Sequence, residues 1–296
     1  MIGVLLLAAA AFGLTGCSKP SGVDGNLING WPMPAEPKVP VPEAPACYDL
    51  QAEDPTEVPK WPAPVDCSDG HYVETIHVGQ FTGADAERGS PPLLGSDGRR
   101  RAYAECSAAA EAYLGADWRT GRMQLFLVPP SETYWDAGAR WYRCDVLEYQ
   151  DLTDFAVAER TGAIKGALAP GSSLLLTCME VTASGDTVEK ILPVDCSSPH
   201  NGEFTGVYDH PDGDYPTDAT ARGKANLSGC RGVVAAYVGI PNDDAFQSRV
   251  GQVSTAFSNA DWELGNRGVR CFVWLPKNVK VSVKGAGPRG LPSNAG

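Results

Sequence analysis

The stretch Trp262-Glu-Leu-Gly265-Asn-Arg267-Gly-Val-Arg270-Cys271 has a counterpart at Trp135-Asp-Ala-Gly138-Ala-Arg140-Trp-Tyr-Arg143-Cys144. One tryptophan, one glycine, two arginines and one cysteine recur at the same spacing in the two stretches. The repeated spacing predicts that the chain contains two tandem copies of one domain.

Further residues recur in the same order in front of and behind these two stretches. They are Cys106-x6-Tyr113-Leu-Gly115 with Cys230-x6-Tyr237-Val-Gly239, Cys67-Ser-x-x-His71 with Cys196-Ser-x-x-His200, Ile164-Lys-Gly-Ala167 with Val283-Lys-Gly-Ala286, and the leading cysteines Cys47 and Cys178. Each half therefore carries four cysteines in one order, and its end is marked by a shared tetrapeptide.

The length of 296 residues suits two domains of modest size. A Pro-rich segment with few aliphatic residues stands in front of the first copy, and such a composition is typical of an extended tether. The predicted segments are a signal peptide at 1–16, a lipidated cysteine and tether at 17–46, a first domain at 47–170, a second domain at 171–287 and a flexible tail at 288–296.

Cys17 is the odd member of nine cysteines. It ends Leu14-Thr-Gly-Cys17, which resembles the lipobox of bacterial lipoprotein signal peptides. The preceding apolar run, Ile2 to Leu14, is too short to cross a bilayer core of about 30 Å as a helix. We expect a lipid on Cys17 to anchor the protein to the outer side of the cytoplasmic membrane, and the alternative is an ordinary secretory signal with a chance cysteine.

The net charge of −12 and the lack of long basic runs argue against a nucleic-acid partner, because phosphate binding requires clustered lysine and arginine. Eight remaining cysteines in an oxidising compartment indicate disulfides, although four cysteines per half allow three pairings. First and last cysteines lie in predicted strands, whereas the third lies on a predicted helix. We therefore favour the pairs Cys47–Cys144, Cys67–Cys106, Cys178–Cys271 and Cys196–Cys230.

Apolar residues recur at helical spacing once in each half, between Arg99 and Leu114 and from Leu227 to Val238. Gly115 and Gly239 end these two helices. Shorter segments with β-forming residues predict strands at 47–50, 71–81, 123–128, 140–146, 174–180, 188–195, 203–208, 251–257 and 269–275. The fold class is α+β, with an antiparallel or mixed sheet and one main helix in each copy.

A histidine and a carboxylate follow each second cysteine, as His71-x-x-Glu74 and His200-x-x-Glu203. Such pairs occur in metal and acid–base sites, but side chains three apart on a strand point to opposite faces. A competing alignment of Gly79-Gln-Phe-Thr-Gly83 with Gly202-Glu-Phe-Thr-Gly206 would remove the correspondence. We favour a structural role and expect no metal and no cofactor.

Trp135 with Arg140, and Trp262 with Arg267, offer a second candidate site. The tryptophans suit stacking against a ligand, and the arginines suit anion binding. The alternative is a glycine turn with a buried tryptophan packed against the last strand, which is more typical of tryptophan beside a half-cystine. We favour this structural interpretation.

Motifs for common catalytic chemistry are absent from the sequence, including Gly-x-Ser-x-Gly, His-Glu-x-x-His and a Gly-Lys-Ser/Thr loop. We therefore expect a non-enzymatic protein that binds or scaffolds partners in the cell envelope. The alternatives are an envelope hydrolase or metal-dependent enzyme that uses the His/Glu positions, and a two-domain carrier with a small ligand between the domains.

Together, the lipobox, the Pro-rich tether, Cys-Ser-x-x-His-x-x-Glu, the cysteine-bearing helix and the Trp-x-x-Gly-x-Arg ending resemble the septum-formation family of bacterial envelope proteins. The resemblance covers most of 47–286. In that family the Cys-x-x-x-His segment recurs, which corresponds here to Cys67/His71 and Cys196/His200, and the family name implies a link to cell division. Copy one departs from copy two in having Gly70 where Pro199 stands.

Overall fold

The computed structural model describes residues 39–51, 61–184 and 187–292. The signal peptide (1–16), Cys17, most of the tether (17–46) and the last four residues of the tail lie outside these ranges. Within them, no helix combines the length and the hydropathy needed to cross a bilayer. The described residues form an α+β fold with two antiparallel sheets, six helices and four disulfides.

The first half contains a four-stranded antiparallel sheet of order β1-β2-β4-β3. Its elements are β1 (Ala46–Tyr48), β2 (Val73–Gln80), α1 (Asp97–Leu114), β3 (Met123–Val128), α2 (Glu132–Asp136) and β4 (Trp141–Glu148). Helix α1 packs on β2, β3 and β4. This arrangement leaves the opposite face of β4 free to contact other parts of the chain.

The second half contains a five-stranded antiparallel sheet of order β6-β5-β7-β9-β8. Its elements are β5 (Cys178–Ser184), β6 (Thr187–Val194), β7 (His200–Asp209), α3 (Ala219–Val238), α4 (Phe246–Arg249), β8 (Gly251–Ala256), α5 (Asn259–Glu263), β9 (Gly268–Val279) and α6 (Gly287–Gly290). Helix α3 packs on β7, β8 and β9. The strand order matches the first half, with β6 added at the edge.

Both main helices follow from local sequence signals. Ser96 and Asp218 accept hydrogen bonds at the helix starts, and Gly115 and Gly239 end the helices in the left-handed conformation. The predicted helical faces are buried, and the predicted strands are all present. The largest difference in a strand's start is at β5, which was expected to begin at Leu174 and begins at Cys178.

The disulfide pairing differs from our expectation. The predicted pairs Cys47–Cys144, Cys67–Cys106, Cys178–Cys271 and Cys196–Cys230 are wrong. The structure contains Cys47–Cys67, Cys106–Cys144, Cys178–Cys196 and Cys230–Cys271, with Cα–Cα distances of 5.1 to 5.3 Å.

Strand order explains the correction. Strand β2 lies between β1 and β4, and β7 lies between β5 and β9. Neighbouring strands are about 4.8 Å apart, so the first and last cysteines of each half lie on strands about twice that distance apart, beyond the span of a disulfide. Instead, Cys67 and Cys196 each follow a segment that pairs directly with the first cysteine, through Val65 and Val194.

The described residues from Val39 onward form one compact unit, in which the two halves share a polar contact. The Arg270 side chain, 2 % exposed, donates hydrogen bonds to the carbonyls of Arg119, Gly121 and Met123 at 2.7 to 3.1 Å. The rings of Trp118 and Phe257 pack beside it with centroids 5.1 Å apart. Strand β9 of the second half thus donates hydrogen bonds, through Arg270, to the backbone of the first half.

Candidate functional site

The two histidine–glutamate pairs lie near the starts of β2 and β7 and are buried, with His71, His200 and Glu203 at 0 % exposure and Glu74 at 1 %. An irregularity in strand pairing between His200 and Gly202 breaks the simple alternation of side chains. In the first half, His71 precedes β2 and makes only an isolated bridge. Each histidine therefore lies near its glutamate although they are three residues apart.

The register also decides between the two sequence alignments. Glu74 is opposite Cys47 and Val146, and Glu203 is opposite Cys178 and Val273. These partners are the first cysteine of each half and the residue two places after its last cysteine. Glu74 and Glu203 are structurally equivalent, so the competing alignment with Gln80 is wrong.

Glu203 is surrounded by hydrogen-bond donors. Its Oε2 accepts from the Tyr237 hydroxyl at 2.8 Å and from the Ser282 hydroxyl at 2.7 Å, and its Oε1 accepts from the Val283 amide at 2.7 Å. His200 Nε2 lies 3.2 Å from Oε1. The Glu203 carboxylate is therefore held by groups from β7, from the end of α3 and from the segment that follows β9.

Glu74 makes the matching contacts in the first half. Its Oε1 accepts from the Tyr113 hydroxyl at 2.5 Å, and its Oε2 accepts from the Ile164 amide at 2.8 Å. The two amides that reach these glutamates belong to Ile164 and Val283, which begin the repeated tetrapeptides. Each carboxylate therefore joins a strand, the end of the main helix and the segment that follows the sheet.

The histidine nitrogens differ between the halves. Nδ1 of His71 and of His200 lies 2.9 Å from the carbonyl of Asp69 and of Ser198, respectively, and therefore donates. Nε2 of His200 faces Glu203, whereas Nε2 of His71 is buried without a protein partner. The first cluster is thus the less completely hydrogen-bonded of the two.

Metal binding at these positions depends on the cysteines. In each half, ligand atoms of the first cysteine, the histidine and the glutamate lie within 4.8 Å of one another. Cys47 and Cys178 are in disulfides, and a thiolate is the form of cysteine that binds metals. With the disulfides intact, only a histidine nitrogen and an already hydrogen-bonded carboxylate remain in each cluster.

Trp135 and Trp262 each form a hydrogen bond with the loop that precedes the main helix of their half. The Trp135 indole donates to the Arg88 carbonyl at 2.8 Å, and the Trp262 indole donates to the Gly213 carbonyl at 2.9 Å. Both tryptophans are buried, at 1 % and 8 % exposure. The second candidate site is therefore built into the protein interior.

The paired arginines complete these two contacts. The Arg140 guanidinium lies 4.0 Å from the Trp135 ring centroid and donates to nearby backbone carbonyls. The Arg267 guanidinium lies 5.1 Å from the Trp262 centroid and pairs with Asp212. Both arginines thus have partners within the chain, and the Asp212 side chain that pairs with Arg267 is itself exposed.

Sequence reasoning missed a polar network on the face of β4 opposite α1. Arg143 donates to Asp145 at 3.0 Å, and Thr75 donates to Asp145 at 2.6 Å. Burial raises the pKa of Asp145, although Arg143 opposes the shift. Arg143 stands in the repeated stretch, but only the pairing of β2 with β4 reveals Thr75 as its neighbour.

Burial also changes the titration of the tyrosines in the two clusters. It raises the pKa of Tyr237 to about 12, with Ser282 opposing and Glu203 adding to the shift. Burial and the hydrogen bond to Glu74 also raise the pKa of Tyr113. Both hydroxyls therefore stay protonated and donating at neutral pH.

These features define a disulfide-bonded α+β protein with two buried histidine–glutamate–tyrosine clusters. Residues 44–271, more than half of the chain, match the family model described as "Septum formation". The chain therefore belongs to the septum-formation family. No curated protein and no solved structure matches it.

Proposed function

We propose that this protein is a non-enzymatic, lipid-anchored extracytoplasmic protein that binds or scaffolds partners during septum formation. The observation that carries the proposal is the burial of both histidine–glutamate clusters, whose donors and acceptors serve the fold. Solvent-borne substrate does not reach a side chain with 0 % exposure. Membership of the septum-formation family supports a role in septum formation.

Localisation tests the process. A fluorescent protein that folds outside the cytoplasm, fused after residue 292, should concentrate at division sites, and deletion of the gene should delay septum closure. A uniform envelope signal together with normal division would overturn the proposed role.

Membrane attachment is tested through Cys17. The wild-type chain should fractionate with membranes and incorporate a labelled fatty acid, whereas Cys17→Ser should lose the label and enter the soluble fraction. The control is Ser18→Ala, which keeps Cys17. A second cysteine variant such as Cys106→Ser would not serve, because Cys106 is in a disulfide. Equal labelling of the wild type and Cys17→Ser would contradict lipidation.

Tandem copies of one domain explain the paired features of the two halves. The same strand order, disulfide pattern and glutamate contacts occur twice. If the halves are copies, Glu74→Gln and Glu203→Gln should each destabilise the protein strongly. A large effect of one and none of the other would argue against equivalence.

A cavity between the halves favours a second candidate function, a carrier of a small ligand. It has a volume of about 300 Å³, and the residues that line it include Phe126, Phe155, Phe257 and Arg270. Phe155 has a φ of 55°, which is unfavourable for an aromatic residue and is often associated with ligand sites. A ligand that raises the melting temperature in the wild type, but not in Phe155→Ala, would support this function.

A further inference from the structure

An open groove lies on the first half, on the face of β4 that helix α1 leaves free. Its volume is about 440 Å³, and six prolines and four aromatic side chains line it. The aromatic residues are Tyr48, Trp61, Tyr134 and Trp141. We name this surface the aromatic groove.

The groove already holds a proline-flanked segment of the same chain. The Trp141 indole donates a hydrogen bond to the Pro40 carbonyl at 3.2 Å, and Pro40, Val41 and Pro42 line the cavity. An aromatic groove that holds proline rings while an indole binds a backbone carbonyl is how polyproline II segments are recognised. The side chain of Val41 is 61 % exposed at the rim.

Arg143 lines the groove and packs against one of its aromatic rings. Its guanidinium lies 3.3 Å from the Trp61 ring centroid, and its charge is balanced by Asp145. Arg143 is 4 % exposed, and its Nε is buried without a hydrogen-bond partner. Since Arg143 is nearly fully buried and already paired with Asp145, its charge does not favour an anionic ligand in the groove.

Arg270 shows what an arginine at this position binds. Arg143 and Arg270 each directly precede the last cysteine of their half, on equivalent central strands. Arg270 donates to three backbone carbonyls between Arg119 and Met123, with Phe257 beside its guanidinium at 4.6 Å. The equivalent face in the second half is therefore occupied by an irregular backbone segment.

We infer that the aromatic groove binds an extended, proline-rich segment of a partner protein. The backbone carbonyls of such a segment have no internal hydrogen bonds and accept from Trp141, while its proline rings pack against Tyr134 and Trp61. Pro40–Pro42 occupies part of the groove and competes with the partner. The inference rests on the proposed binding function and names the chemistry of the partner.

The test is fluorescence anisotropy with the purified full-length chain in detergent. The probe is a labelled synthetic peptide with the sequence of residues 37–45, and the reference peptide has glycine in place of each proline. We expect saturable binding of the proline peptide only. Pro40→Ala with Pro42→Ala should tighten binding by removing the competitor, and Trp141→Phe added to that variant should weaken binding by about tenfold through loss of one hydrogen bond.

Trp274→Phe is the matched control, because Trp274 lies on the second sheet and its indole nitrogen has no partner. It should leave peptide binding unchanged. If Trp141→Phe does not fold, as judged by circular dichroism, Tyr134→Ala replaces it, since the Tyr134 ring is 43 % exposed at the rim. This variant should also weaken binding.

Three results would overturn the inference. The first is that neither the wild type nor the Pro40→Ala/Pro42→Ala chain binds the peptide saturably. The second is that the glycine peptide binds equally well. The third is that the groove binds an oligosaccharide, tetra-N-acetylchitotetraose, and does not bind the peptide. Septal localisation of a chain that binds no peptide would leave the proposed function intact. Peptide binding without septal localisation would instead contradict only the proposed role in septum formation.

Discussion

Two histidine–glutamate contacts in this protein differ mainly in their access to water. His200 and Glu203 are 3.2 Å apart with both side chains at 0 % exposure, whereas His77 and Glu105 are 2.8 Å apart at 35 % and 53 % exposure. Exposed pairs contribute little because water solvates both partners. Breaking a buried pair leaves groups that nothing else can solvate. Burial, more than distance, should therefore determine the energetic importance of each pair.

We predict that Glu203→Gln lowers the free energy of unfolding by about 3–5 kcal/mol. The amide nitrogen of glutamine cannot accept a hydrogen bond, so buried donors around this position lose their acceptor. Urea unfolding at neutral pH with intact disulfides measures the change. Glu105→Gln is the control and should cost less than about 1 kcal/mol. Similar losses in both variants would show that burial is not the cause.

The tyrosine shifts predict a loss of stability in alkali. The ordinary pKa is 10.0, and folding raises the pKa of Tyr237 to about 12. Because the folded-state pKa is the higher one, this contribution is fully present below pH 10 and is lost as the pH rises towards 12. Phenolate absorbance should show Tyr237 titrating later in the native chain than in the unfolded chain. Tyr237→Phe should weaken the alkaline loss, and an unchanged profile would contradict the assignment.

Among the elements, the repeated tetrapeptides form turns that secure the ends of the main helices. Gly166 and Gly285 donate amide hydrogen bonds to the carbonyls of Tyr113 and Tyr237, both at 2.8 Å. Their φ angles are 69° and 67°, in the left-handed region. The same turn therefore brings the amides of Ile164 and Val283 to the buried glutamates.

We predict that Gly285→Ala and Gly166→Ala each lower the free energy of unfolding by about 1–2 kcal/mol, the cost of a left-handed conformation for alanine. A Cβ at either position meets no atom within 4 Å, so strain is the only expected term. Gly89→Ala also meets no atom but has no positive φ, and it should be neutral or slightly stabilising. Thermal unfolding distinguishes these outcomes, and equal shifts in the three variants would contradict the strain explanation.

Helices and strands could be predicted from sequence because their signals are local. Buried residues of α1 recur every three or four positions, and Gly115 ends the helix. Disulfide pairing could not be predicted, because it depends on β2 lying between β1 and β4. The partners of Glu203 were missed for the same reason, since Val283 lies eighty residues away along the chain.

At the scale of the molecule, Arg270 links the stability of the two halves. We predict that Arg270→Met broadens the calorimetric unfolding of the described unit or splits it into two transitions. Two buried carbonyls and one part-buried carbonyl lose their donor, at a cost of about 1–3 kcal/mol for each buried group left unpaired. Methionine keeps much of the side-chain volume, so the change tests the hydrogen bonds.

Asp209→Asn provides the comparison for this experiment. Asp209 pairs with Arg119 across the same contact at 2.6 Å, but its side chain is 57 % exposed. The loss of this pair should cost less than about 1 kcal/mol and leave one transition. A single sharp transition in Arg270→Met, with an unchanged melting temperature, would show that the halves do not depend on this contact.

By itself, the sequence determined the α+β class, the paired motifs of the two halves and the positions of their main helices. Periodicity, capping residues and fixed spacings are properties of short segments. They can therefore be recognised in the sequence without knowledge of the fold. Only the tertiary structure decided which cysteines join, why the histidine–glutamate pairs are closed to solvent and where an open aromatic groove lies. These features depend on strand order and on contacts between residues far apart in the chain, which no local pattern encodes.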